Sequence, residues 1–253
     1  MALFMDGPIS NIDDLAGQDS QLLDVANVEG IDVTRKLGLA QDEVAVDLDT
    51  LLMRLSYTEQ PLWTATPKIA GVVVTPPLKM WHTFRALKMV YADAYNSQLN
   101  DRYAGKRDQF HSRAQWAYEK LVQTGVGMVS DPIPQAAVPT VTAVSGGLED
   151  GTYYVTMAWT NRAGEEGASA VPTTITTVGS SLLVQPGNAP PNAAGWKVYV
   201  GGTPGSMVLQ NESPITIGQR WLHPNALTTV GPAPGFGQTP DWMRPVPRVI
   251  PRG

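Results

Sequence analysis

His82, His111 and His223 are the side chains of this chain best suited to acid–base or metal chemistry, and their spacing argues against both. They lie far apart, and the acids near His82 and His111 do not recur at ligand spacing. The pairs Asp13-Asp14 and Glu165-Glu166 put adjacent carboxylates on diverging directions, the first as helix-start charge and the second as a loop tip; nothing favours a glycosidase-like pair. Gly201-Gly202-Thr203-Pro204-Gly205 lacks the Gly-Lys-Ser/Thr ending of a phosphate loop and precedes no helix, so it reads as a hairpin turn. Ser145, Ser169 and Ser206 have no nucleophile-elbow context. Zero cysteines exclude disulfides, thiol catalysis and Cys-ligated zinc. The expectation is a protein that is not an enzyme and carries no cofactor or metal.

The elements that would position these residues change character at Asp131-Pro132-Ile133-Pro134, where a helical period of hydrophobicity gives way to a period of two. Before it, Ile12, Leu15, Leu22 and Val25 predict a helix from Ser10 to Asn27, and Gly30 and Gly38 bracket a short one. Val44, Leu48, Leu51 and Leu55 mark a third. Thr75 is placed to cap a helix opening at Pro76-Pro77 and carrying Met80, Phe84, Leu87, Tyr91 and Ala94 to about Asn100. Phe110, Ala114, Ala117 and Leu121 define the last, which Gly125 and Gly127 end. Trp81, Trp116 and Tyr118 read as core or interface. After the switch, about seven short strands fit a β-sandwich with Trp159 and Trp196 in its core. The expected class is α plus all-β in two domains. A helical bundle over 1–130 carries an extended arm at about 57–78. A linker (131–138), an immunoglobulin-like sandwich (139–231) and a Pro-rich tail (232–253) follow.

Charge is segregated. The net charge of −5 argues against non-specific nucleic-acid binding. Residues 1–60 are strongly acidic, with Arg35, Lys36 and Arg54 as their only cations, whereas residues 79–120 hold Lys79, Arg85, Lys88, Arg102, Lys106, Arg107, Arg113 and Lys120. Two readings follow: acidic and basic helices pair within one chain, or unlike faces meet between neighbouring copies. The face of Lys79, Arg85 and Lys88 is a candidate channel or subunit contact. Ile69, Val72, Val73 and Val74 are the candidate inter-subunit arm, and Trp242, Met243, Val249 and Ile250 the candidate tail anchor. The longest apolar stretch, Ile69 to Val74, is far shorter than the ~18 residues a membrane span needs, and the first residues do not read as a secretion signal, so synthesis in a cytoplasm is expected.

Ala94-Tyr-Asn-Ser-Gln-Leu-Asn-Asp-Arg-Tyr103 and Gln115-Trp-Ala-Tyr-Glu-Lys-Leu-Val-Gln-Thr-Gly-Val-Gly127 resemble the last two helices of tailed-bacteriophage neck proteins, the head-to-tail adaptors beneath the portal. Asp150-Gly-Thr-Tyr-Tyr-Val155, Trp159-Thr-Asn-Arg-Ala-Gly-Glu-Glu166 and Gly195-Trp-Lys-Val-Tyr-Val-Gly201 resemble immunoglobulin- or fibronectin-type modules appended to phage structural proteins. The resemblance implies a homo-oligomeric, commonly dodecameric, ring in the virion neck. Its partners would be the portal, tail, nozzle or tail-terminator proteins, and capsid or decoration proteins, with DNA only in passage and no membrane. The alternative reading is a carbohydrate- or host-binding surface module on a helical mount, using Tyr153, Tyr154, Trp196, Tyr199 and Trp221. A hydrolase of cell wall or capsule is the weakest reading, since no acid–base pair is evident.

Overall fold

The computed structural model describes residues 1–56, 68–98, 101–223 and 226–244. Its helices are α1 (Ile12–Ala16), α2 (Leu22–Glu29), α3 (Val33–Ser56), α4 (Pro76–Gln98) and α5 (Ala104–Thr124). Its strands are β1 (Val126–Met128), β2 (Thr140–Ser145), β3 (Gly151–Thr160), β4 (Thr173–Thr177), β5 (Ser180–Gln185), β6 (Gly195–Gly201), β7 (Val208–Leu209), β8 (Ile215–Thr216), β9 (Trp221–Leu222) and β10 (Asp241–Met243). They form two compact units: Met1–Asp6 with Asp131–Thr239, and Gly7–Ser130 with the residues from Pro240 onward. Both chain ends therefore belong to the unit that sequence order does not suggest. The expected linker 131–138 is part of the β unit, with Ile133 and Ala136 buried in its core.

In the helical unit, α1 begins at a reciprocal cap: Asn11 Oδ1 accepts from the Asp14 amide at 2.8 Å, and the Asp14 carboxylate accepts from the Asn11 amide at 2.9 Å. The single helix expected over Ser10–Asn27 breaks after Ala16 because Asp19 turns inward. Its carboxylate accepts from Tyr91 Oη at 2.6 Å and Lys106 Nζ at 2.9 Å. Gly30 ends α2 in the left-handed region. Gly38 does not stop a helix as expected; it lies inside α3, whose apolar stripe of Leu37, Ala40, Val44, Leu48 and Leu51 is buried on both sides of it. Tertiary burial of that stripe outweighs the roughly 1 kcal/mol a helical glycine costs. Thr75 precedes α4 as expected, but its hydroxyl is buried without a hydrogen-bond partner among the described residues, so the side-chain cap is not made.

Helices α4 and α5 run antiparallel: the Trp81 ring lies tilted against Tyr118 (5.0 Å between centroids), and Phe84 and Tyr91 stack on Phe110 (6.4 and 5.6 Å). Gly125 ends α5 with φ +101° and turns the chain into β1, which pairs antiparallel with β10 in the register Val126↔Met243. Gly127, expected as a second cap, is a strand residue.

In the β unit, one sheet runs β2-β5-β9 and the other β4-β3-β6-β7, with β8 also on β6. All neighbours are antiparallel. Alternation along β3 sends Val155, Met157 and Trp159 into a core shared with Trp196, Val198 and Val200 of β6 and with Leu182, Val184 and Trp221 of the other sheet. The residues Gly201–Gly205 open the β6–β7 connection, as the turn chemistry predicts, and Ser206 closes it by donating its amide to Thr203 O at 3.1 Å.

Candidate functional site

Part of the segregated charge of the helical unit is spent inside it. Lys79 reaches Asp14 of α1 at 2.8 Å, and Lys36 of α3 pairs with Asp93 of α4. Arg85 of α4 donates to Glu43 at 2.6 Å and also to Asp47, both on α3. Burial opposes the Arg85 charge, but those two carboxylates outweigh it and raise its pKa above the ordinary arginine value. The same balance holds at Asp19, where burial favours the neutral acid and the donors Tyr91 and Lys106 more than offset it, lowering the pKa. Lys79, Arg85 and Lys88 thus do not form one free basic face. Among the described residues, Lys88 alone of the three makes no ion pair.

Lys88 lines a cleft of about 320 Å³ floored by α4 and walled by α3 and α5. Arg85 lies 5.6 Å above the Trp81 ring there, and Trp81 packs on Tyr118, with His111 and Gln115 completing the rim. Arg85 is held by two carboxylates, and the cleft contains no nucleophile held by a base. Its lining sets the Trp81 and Tyr118 rings beside the Lys88 ammonium, which makes no ion pair among the described residues. Trp81 is buried, Tyr118 is partly buried and Trp116 stands 46% exposed on α5.

Of the expected arm at about 57–78, residues 57–67 lie outside the described residues, and the remainder makes contacts within its own unit. Ile69–Gly71 is a 3-10 turn, the Gly71 carbonyl accepts from the Val129 amide at 2.8 Å, and Val73 donates to Gly127 O at 2.9 Å. Val72 and Val73 are fully buried, Val74 and Ile69 partly so. The backbone and side chains that an arm would offer a neighbour are used within the unit. Of the expected tail anchor, Met243 is 3% exposed opposite Val126, whereas Trp242 is 47% exposed. Val249 and Ile250 lie outside the described residues. The tail thus docks on its own chain through β10, a pairing across more than a hundred residues that no local pattern announces.

The aromatics of the alternative reading are not a surface. Trp196, Tyr199 and Trp221 are buried; Tyr153 and Tyr154 are partly buried. Glu165 and Glu166 are not a free loop tip as expected. Glu166 accepts from Lys197 Nζ at 2.9 Å and Tyr199 Oη at 2.6 Å, while Glu165 accepts from Asn161 and Gln238 at 2.7 and 2.9 Å. Asp13 and Asp14 do sit in the first turn of a helix.

His82 is completely buried between Ser10 Oγ (2.9 Å) and Leu37 O (3.1 Å). A carbonyl only accepts, so the neutral ring donates from Nε2 to Leu37 and accepts at Nδ1. Burial pushes its pKa below the ordinary histidine value, as it does for His223, whose ring nitrogens are buried without partners among the described residues. His111 is exposed on α5. No group of three or more metal-ligating side chains occurs among the described residues, and no helix among them is long and apolar enough to cross a membrane.

The described residues define a mixed protein with five α-helices and antiparallel sheets. No protein-family model, curated protein or solved structure matches the chain.

Proposed function

We propose that the chain is a non-enzymatic structural protein of a phage virion, a head-to-tail adaptor that forms a ring beneath the portal and extends the DNA channel. One observation carries this reading. After the internal ion pairs are made, the middle of α3 keeps Asp42 and Asp49 and α5 keeps Arg113 and Lys120, opposite in sign, with Arg35 at the start of α3 and Glu119 on α5 as the exceptions. Two unlike surfaces on one chain are what a head-to-tail ring requires. The sequence resemblance falls on the α4–α5 hairpin: Ala94–Tyr103 takes in the end of α4, and Gln115–Gly127 the second half of α5. The helical unit is read as the ring-forming bundle.

The β unit is read as an immunoglobulin-like sandwich. Its sheet order β4-β3-β6-β7 follows the C′-C-F-G order of such domains, and β2-β5 corresponds to B-E. Trp159, 2% exposed on β3, then occupies the position of the buried strand-C tryptophan. In this reading the sandwich serves capsid, tail or decoration proteins.

Electron cryo-microscopy of the purified chain mixed with the portal ring of the same phage tests the proposal. The expected result is a closed ring of this chain stacked on the portal. A chain that stays off the portal at every concentration, and is absent from purified virions, overturns it.

A further inference from the structure

The solvent side of α3 carries a second stripe, opposite its buried one: Leu39, Asp42, Val46 and Asp49, spaced 3-4-3. Val46 is 66% exposed and Leu39 41%. On α5, Trp116 is 46% exposed, with Arg113 and Lys120 on either side. Each pattern is an apolar residue between two like charges seven positions apart, or ~10.5 Å along a helix. The charges are acidic on α3 and basic on α5.

We infer that α3 of one copy packs antiparallel on α5 of a second copy, with Val46 against Trp116. This rests on the ring reading above and names the surfaces that meet. Antiparallel register makes the offsets coincide. Asp42, four residues before Val46, stands level with Lys120, four after Trp116; Asp49, three after Val46, stands level with Arg113, three before Trp116. None of these four residues is in an ion pair among the described residues. Lys120 Nζ holds only Gln123 Oε1 at 3.0 Å, and Arg113 lies 5.6 Å over the Phe84 ring, so both ammonium and guanidinium retain free donors. Glu119 shares the α5 stripe, but its carboxylate accepts from Gln115 Nε2 at 3.1 Å, leaving two cations against one acid.

Like charges disfavour the symmetric pairings in the registers centred on Val46 and on Trp116, where α3 on α3 gathers four acids and α5 on α5 four cations; Arg35, seven residues before Asp42 on the same α3 stripe, leaves only a shifted α3–α3 register open, which the 46–116 cross-link distinguishes. The favoured contact is heterologous, so it propagates and closes into a ring when the rotation per copy allows.

The native chain has no cysteine, which makes cross-linking clean. A V46C/W116C double variant, oxidised at high concentration, is expected to give a ladder of covalent oligomers, because every copy carries both partners. Either single variant is expected to stay monomeric under the same conditions. No ladder, or single variants that dimerise as readily, overturns the contact. Charge reversal supplies the second arm. D42K/D49K and R113E/K120E are each expected to weaken self-association at least tenfold. Mixing them restores it, since every α3–α5 contact between unlike variants again joins opposite charges. A mixture that remains dissociated overturns the inference. Rings on the portal without the 46–116 cross-link would sink this contact alone. A ladder from a chain absent from the virion neck would sink the adaptor reading alone.

Discussion

At the residue scale, the most consequential group is a buried histidine. His82 is fully buried, and burial holds its pKa below the ordinary value near 6.5. The sign follows from linkage. Above pH 6.5 the ring is neutral in both folded and unfolded chains, so it leaves stability unchanged there. As pH falls below 6.5 the unfolded chain takes up a proton that the folded one refuses, and the helical unit loses stability, by up to ~1.4 kcal/mol per pH unit. Asp14 and Asp19, whose pKa values are lowered, add a loss of the same sign at lower pH. Urea unfolding of the full chain is expected to show a falling midpoint from pH 7 to 5. His82→Gln should be less stable at pH 7 but flatter over that interval; an equally steep variant would refute the assignment. A second test concerns Asp19. Tyr91→Phe removes its 2.6 Å donor and is expected to cost about 1–3 kcal/mol, because the carboxylate is only 3% exposed. The periodicity of α4 placed Tyr91 in the core correctly, yet nothing in the sequence shows that its hydroxyl meets an acid far upstream.

At the element scale, what was legible depended on local repetition. The α4 stripe, the face of β3 and the burial of Trp159 and Trp196 all appear where the periods of 3.6 and 2 place them. The misread elements are those whose causes are distant. The break between α1 and α2 is enforced by Asp19 reaching α4 and α5, and Gly38 is carried through by burial on either side of it. Strands β1, β9 and β10 have two or three residues each and are too short to show a period. Gly125 gives this layer a test. Its φ of +101° is unfavourable for any L side chain, and a Cβ there would meet Met243 O at 2.9 Å. Gly125→Ala is expected to cost about 1–3 kcal/mol. Amide exchange should also accelerate in β1 and β10 more than in α4. Uniform exchange with unchanged stability would mean the α5–β1 turn tolerates alanine.

At the scale of the whole molecule, the segregated charge allowed two readings, and the ion pairs show that the intrachain one accounts for Lys36, Lys79, Arg85 and Lys106. The change of periodicity at Asp131–Pro134 reads as a boundary between two continuous stretches of chain, whereas the compact units are each made of two stretches. Met1–Asp6 belongs with the β unit, where Leu3 and Phe4 are 5% and 2% exposed, and the residues from Pro240 belong with the helical unit, where Met243 is buried. Short terminal segments carry no periodicity of their own, so their allegiance is invisible until the fold is known. A physical consequence can be measured. A protease site inserted between Ser130 and Asp131 cuts the chain into two pieces, each holding a segment that belongs to the other unit. The cut pieces are expected to co-elute in size-exclusion chromatography under native conditions and to separate only in denaturant. Removing Met1–Asp6 together with the residues from Pro240 should let them separate after cleavage, while burying ~25 cal/mol per Å² less apolar area and so destabilising each unit. Pieces that part immediately in the otherwise intact chain would show that the exchanged termini contribute little, and that proline junction Asp131–Pro134 is the main covalent and energetic tie.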